Sequence, residues 1–191
     1  MNPDLLLSSP TSKFLPYANV DLNVWKPIYN NEKKLNKKKM FVIAHAPSSR
    51  KIKGTQYILK SIERLTHNGY NIKLQLFEKL THDQIATACQ NADLIIDQLL
   101  IGWYGGFAVE MMALGKPVIC YLDDRISHLV PFYNDIPIIN ANPQTLYKKI
   151  EFFINHPQEL AIIGKKSRQF VERIHNPKTI AKTVVRYYQK S

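Results

Sequence analysis

Between residues 40 and 122, short apolar runs alternate with stretches of helical periodicity, and no other feature restricts the fold as much. "MFVIAHA" (40–46) is apolar enough to form a strand buried on both faces. "GTQYILKSIERLTHNG" then places Tyr57, Ile58, Ile62 and Leu65 on one helical face before Gly69 stops it. "YNIKLQLF" alternates like a strand, "THDQIATACQNA" is helical with Thr81 or Asp83 as its cap, and "DLIIDQLL" is again a strand. "GFAVEMMALG" predicts a helix ending at Gly115, "KPVICYL" a buried strand, and "DIPIIN" a further short one. Strands separated by helices pair in parallel, because parallel neighbours require a crossover connection. The fold class is therefore α/β: a Rossmann-like parallel sheet with helices on both faces. Three helical stretches follow, beginning at Asn142-Pro143, His156-Pro157 and Asn176-Pro177, and they make a helical C-terminal end.

Residues 40–191 are expected to form one domain. Residues 1–39, rich in Pro, Asn, Ser and Lys, read as loops with at most one strand near Val20–Trp25. No run reaches the roughly 18 apolar residues of a membrane span, and no basic start precedes an apolar signal core, so a cytoplasmic location is expected. Cys89 and Cys120 both lie in apolar segments and read as buried free thiols. The formal net charge of +11 is concentrated: from Lys33 to Lys60 there are nine Lys or Arg and no acid. That favours an anionic partner, whether nucleic acid, an acidic membrane surface or a phosphorylated small molecule; a solvated linker explains "KKLNKKK" equally well. No interleaved aromatics, helix-turn-helix or zinc knuckle accompany the charge, so nucleic acid is not the expected partner.

In an open parallel sheet, ligands bind beyond the carboxyl ends of the strands, where loops meet helix N-termini. Two such loops stand out. "HAPSSRKIKG" (45–54) gathers Arg50, Lys51 and Lys53 with Ser48 and Ser49, donors suited to phosphate oxygens. His45 touches phosphate there or makes a structural hydrogen bond. "IGWYGGFAVE" (101–110) places Gly105 and Gly106 at a helix start, where backbone amides can meet an anion unobstructed. Glu110 follows one turn later, placed to accept two vicinal hydroxyls such as those of a ribose.

"GWYGGFAVEMMALGKPVICY" resembles the nucleotide-sugar-binding segment of retaining GT-B glycosyltransferases, in which a Glu-Gly-Phe-Gly loop precedes Glu-Ala-Met-Ala-x-Gly-x-Pro-Val. "RKIKGTQYILKSIERL" resembles the same family's Arg…Lys-Gly element, and residues 142–188 its terminal helices. The resemblance implies the donor-binding half of a GT-B fold. By it, Glu110 binds the nucleotide ribose, Arg50 and Lys53 neutralise the donor diphosphate, and Gly105, Gly106 and Phe107 lie in the loop facing the distal phosphate and the sugar. The family's first glutamate, which helps hold the sugar, falls on Gly102; Asp97 or Gln98 could take over part of that role. Trp103 and Tyr104 either shape the sugar pocket or pack against the helix.

The implied activity is transfer of a sugar from a nucleotide-diphosphate donor to a hydroxyl, with retention and without a metal or other cofactor. Residues 4–25 resemble the crossover that leaves the first half of such enzymes, and that half, with its acceptor site, is not in this sequence. The expected partners are a nucleotide sugar, the N-terminal half or a second copy of the chain, and an anionic membrane surface. Two other readings stay open: a nucleotide-sugar-binding or partner subunit without turnover, including a truncated remnant, and a basic nucleic-acid-binding α/β domain.

Overall fold

The computed structural model describes residues 2–9, 11–27 and 40–189. The lysine-rich run 33–39 lies outside the described residues. Strands β1 (Phe41–His45), β2 (Ile72–Leu76), β3 (Leu94–Ile96), β4 (Val118–Cys120) and β5 (Ile139–Asn140) form one sheet, every pair parallel, in the order β2-β1-β3-β4-β5. The helices are α1 (Leu5–Ser8), α2 (Arg50–Lys53), α3 (Thr55–His67), α4 (His82–Cys89), α5 (Gly106–Ala113), α6 (Leu146–Asn155), α7 (Pro157–Ile174) and α8 (Pro177–Tyr188). Two 3-10 turns, Asp124–Leu129 and Tyr133–Asp135, lie between β4 and β5.

Strand side chains alternate between two cores. Phe41, Ile43, Leu94, Ile96, Ile119 and Ile139 pack with Ile58 and Leu65 of α3 and with Leu146, Ile150 and Phe153 of α6. Ala44, Ile95, Val118 and Cys120 face the other way, onto α5 and α7. Both faces of β3 and β4 are buried, which is why "DLIIDQLL" and "KPVICYL" read as continuous apolar runs. From β1 the chain goes first to β2 at one edge, then returns past β1 to lay down β3, β4 and β5 on the other side. The strand order thus reverses between β1 and β3, and the crevice beyond their carboxyl ends is where such a sheet receives a ligand.

Local signals act as the sequence implies at most boundaries. Thr81 forms a capping box with Gln84, Asn176 caps α8, and Gly69 and Gly115 adopt left-handed conformations, φ 86° and 69°, after α3 and α5. Four expectations change. Residues 20–25 are not a strand: the Asp21 carboxylate accepts from Asn23 N, and Trp25 N donates to Asp21 O at 2.8 Å, closing a turn. "DIPIIN" pairs only at Ile139–Asn140, since Pro137 has no amide for a ladder. Asn142 caps a turn, accepting from Gln144 N and Thr145 N, and α6 begins only at Leu146. The basic loop contains α2, capped by the Ser49 hydroxyl, which accepts from Ile52 N.

Residues 11–27 pack along the α5 side of the sheet as a strap. Val20 and Trp25 are buried in that core, and Phe14 meets Trp103 edge-on at 5.9 Å between ring centroids. Arg168 of α7 clamps the strap to the end of α5: its guanidinium donates to the carbonyls of Leu22, Trp25 and Ala113. On α8, Val185 and Tyr188 are exposed, while Lys13 Nζ sits 4.5 Å from the centroid of the Tyr187 ring. No helix among the described residues is long and apolar enough to cross a membrane.

Candidate functional site

At the crevice between β1 and β3, the loop after each strand delivers one half of a buried ion pair. Lys53, the last residue of α2, places Nζ 2.5 Å from Oδ1 of Asp97, the residue after β3. The Lys53 side chain is 11% exposed and that of Asp97 is fully buried. Asp97 Oδ2 accepts the backbone N–H of Gly105 at 3.1 Å, tying the pair to the residue that precedes α5. A Cβ on Gly105 would lie 3.8 Å from both Asp97 Oδ2 and Lys53 Nζ. A side chain at 105 would thus be in contact with the pair, and glycine sets none against it.

Helix α5 has no side-chain cap. Among the described residues the amides of Gly106, Phe107 and Ala108 have no hydrogen-bond acceptor, so three donors and the positive end of the helix dipole collect beside Lys53. Such a group of donors suits an anion, and Asp97 is the charge that pairs with Lys53. Among the described residues, no group of His, Cys, Asp and Glu is arranged to hold a metal ion.

One turn into α5, Glu110 is buried at 4% exposure. Its Oε1 accepts from Asn19 Nδ2 of the strap at 3.1 Å, and the same nitrogen donates to Gly106 O at 3.3 Å. Asn19 is a residue the sequence reading missed. Its only signal is a polar side chain in "ANVDLN", beside a valine that becomes 1% exposed.

Arg50 stands apart from this cluster. It is held in a bidentate pair by Glu78, in the loop after β2, with Nε to Oε1 at 2.9 Å and Nη2 to Oε2 at 2.6 Å, both side chains exposed. The pairing lowers the Glu78 carboxyl pKa below the ordinary value. His45 faces inward: Nδ1–H donates to Ile96 O and Nε2 accepts from the Thr55 hydroxyl, both at 2.8 Å. Burial lowers its pKa, keeping the ring neutral. Both nitrogens are engaged, so His45 anchors β1 to β3 and α3 rather than facing the crevice.

Trp103 and Tyr104 stack on each other with centroids 4.5 Å apart and are each 1% exposed, which makes them core residues. Gln98 donates to the Trp103 carbonyl, and its own carbonyl accepts from Tyr121 N, so it holds the loop's shape. Gly102 is left-handed at φ 84°, and a Cβ there would come within 2.9 Å of the Asp123 Cβ. A side chain at 102, glutamate included, does not fit this loop.

No family model matches the chain, and no curated protein is detectably similar in sequence. Solved structures share its fold. Anabaena HepE, determined in complex with UDP-glucose, superposes with a TM-score of 0.63 at 17% identity over 90% of this chain and 56% of its own. Sucrose-phosphate synthase from Thermosynechococcus elongatus superposes at 0.68 and 16% identity over 98% of this chain and 55% of its own. The fold is one half of the GT-B architecture. TarM gives the same answer at a TM-score of 0.55 and 15% identity, over 78% of this chain and 36% of its own. The chain thus spans about half the length of the GT-B proteins HepE and sucrose-phosphate synthase. Within this half, Lys53, Asp97 and Gly105 are joined at the β1/β3 reversal, Gly106, Phe107 and Glu110 follow on α5, and Arg50 pairs with Glu78 in the loops after β1 and β2.

Proposed function

We propose that this chain is the donor-binding half of a GT-B glycosyltransferase and holds a nucleotide-diphosphate sugar for transfer to a hydroxyl acceptor with retention. The observation that carries the reading is the convergence of Lys53, Gly105 and the unpartnered amides of α5 at the strand-order reversal. The diphosphate lies across those amides and the Lys53 ammonium. Glu110 accepts the ribose hydroxyls. Arg50 turns from Glu78 to the phosphates when the donor is bound.

As the bond between the sugar and the diphosphate breaks, negative charge grows on the leaving phosphate. Fixed donors that meet it there stabilise the transition state more than the ground state, which is how such a site accelerates transfer without a metal. The acceptor-binding groups come from a second GT-B half.

A specific feature favours one variant of this reading, a nucleotide-sugar-binding subunit without turnover. Gly102 occupies the position where the family resemblance puts a sugar-holding glutamate, and the loop has no room for one. Calorimetric titration of the chain with UDP, GDP and ADP, with and without attached sugars and in the presence of a chelator, tests the site. Binding of at least one diphosphate in the millimolar range or tighter is expected, and the absence of heat or thermal shift with all of them refutes it. Release of free sugar from the bound donor separates turnover from binding.

A further inference from the structure

Asn19 does not belong to the sheet, yet its carboxamide reaches the first turn of α5. Its Nδ2 lies 3.1 Å from Glu110 Oε1 and 3.3 Å from Gly106 O, so one carboxamide nitrogen bridges two acceptors a single turn apart on α5. Both partners only accept, which makes the amide necessary: an aspartate of the same shape would set a carboxylate against Glu110 and lose both bonds. The fit is close as well, since a Cβ on Gly106 would lie 3.0 Å from the Asn19 nitrogen. Asn19 is itself exposed, so this placement is not imposed by burial. It follows from the anchoring of the strap on either side, by Val20 and Trp25 in the core and by Arg168 on the carbonyls of Leu22 and Trp25.

We infer that Asn19 is a positioning residue for the nucleoside: it fixes the Glu110 carboxylate in the orientation that accepts the ribose hydroxyls, and so makes nucleoside recognition depend on the docked strap. The inference rests on the donor-site reading above. It adds that the strap is a working part of the site, since a ligand that engages Glu110 shares the carboxylate with Asn19. Asn19 acts through Glu110 and makes no demand on the diphosphate, which meets the helix amides and Lys53.

The test is a set of titrations on the intact chain and on Asn19→Ala, Asn19→Asp, Glu110→Gln and the Asn19→Ala/Glu110→Gln double variant. The probes are UDP, GDP and ADP, their nucleosides, and inorganic pyrophosphate. Asn19→Ala is expected to weaken nucleoside and nucleoside diphosphate about tenfold while leaving pyrophosphate unchanged, with Asn19→Asp weaker still. In the Glu110→Gln background the Asn19→Ala change is expected to have little further effect, because a residue acting through a partner shows no additive loss once the partner is altered. Equal weakening of pyrophosphate, or full additivity of the two changes, would overturn the inference and leave Asn19 as a fastening of the strap alone. Unchanged binding in both Asn19 variants overturns it too. If the unmodified chain binds none of the probes, the donor-site reading fails first, and that outcome is visible before any variant is made.

Discussion

Lys53 Nζ and Asp97 Oδ1 lie 2.5 Å apart where the loops after β1 and β3 meet, with almost no solvent on either group. Burying two charges is costly, and their attraction offsets that cost only while both are present. Asp97 also fixes the Gly105 amide, so the pair joins the basic loop to the start of α5.

Lys53→Met is therefore expected to destabilise the fold by roughly 3 to 5 kcal/mol, and Asp97→Leu similarly, because each leaves a buried charge without its partner. The double variant Lys53→Met/Asp97→Leu should be more stable than the sum of the two losses implies. Urea unfolding of the three variants measures this. Additive losses would show that the two charges are screened from each other.

Arg50 and Glu78 pose the opposite case, an exposed pair to which the proposed function gives a part in phosphate binding. Glu78 holds the guanidinium through two hydrogen bonds, in competition with any phosphate at the rim. Glu78→Gln is expected to tighten diphosphate binding several-fold by releasing Arg50, and Arg50→Ala to weaken it about tenfold, in line with charge-assisted hydrogen bonds. Neither change should alter binding of the bare nucleoside. Titration with UDP and uridine, and the corresponding guanosine and adenosine pairs, decides it. Equal effects on nucleoside and diphosphate would place Arg50 outside the phosphate site.

His175 ties the strap to the helical end. Its Nδ1–H donates to Tyr17 O at 2.8 Å, and Nε2 accepts from the Tyr104 hydroxyl at 3.0 Å. Burial is the main cause that brings its pKa from the ordinary 6.5 down to about 4. The sign follows: between about pH 6.5 and pH 4 the unfolded chain takes up a proton that the folded site refuses, so stability falls as pH falls through that window. Above the window the contribution is fully present. The loss reaches about 3 kcal/mol by pH 4 at the usual 1.36 kcal/mol per pKa unit. His45, with its lowered pKa, adds in the same direction. Melting temperatures from pH 7.5 to 4.5 should therefore drop less in His175→Gln than in the unaltered chain.

The parallel sheet was legible because alternation of strand and helix leaves few alternatives, and Gly69, Gly115, Thr81 and Asn176 mark element ends by side-chain or backbone chemistry that acts locally. Lys53, Gly105 and Glu110 were legible as candidates because loops after parallel strands converge. Their partners were not. Asn19 lies 91 residues from Glu110 and Asp97 lies 44 from Lys53, and nothing in a linear pattern states which carboxylate will face which cation. His45 and Trp103 show the reverse limit: a polar or aromatic residue beside a basic or glycine-rich loop looks functional in the sequence, while its contacts turn it inward.

The last prediction concerns Gly102, where the family resemblance and the local geometry pull apart. A glutamate there would match the pattern of retaining GT-B enzymes. The backbone at φ 84° is left-handed, however, and Asp123, whose N–H donates to Gly102 O at 2.8 Å, occupies the space a Cβ needs, at 2.9 Å. The left-handed conformation costs a non-glycine residue about 1 to 2 kcal/mol, and forcing atoms into a filled site typically adds about 1 to 3 kcal/mol. Gly102→Ala should thus lose at least about 2 kcal/mol of stability, and Gly102→Glu no less, in urea unfolding. Because the loop must shift to accept either side chain, and Gly105 follows three residues later, both should also weaken diphosphate binding instead of improving it. A stable Gly102→Glu variant with tighter binding of a nucleotide sugar than of the bare diphosphate would mean that the loop can adopt the arrangement of the glutamate-bearing enzymes. In that event the sugar-holding function could be restored by a single substitution.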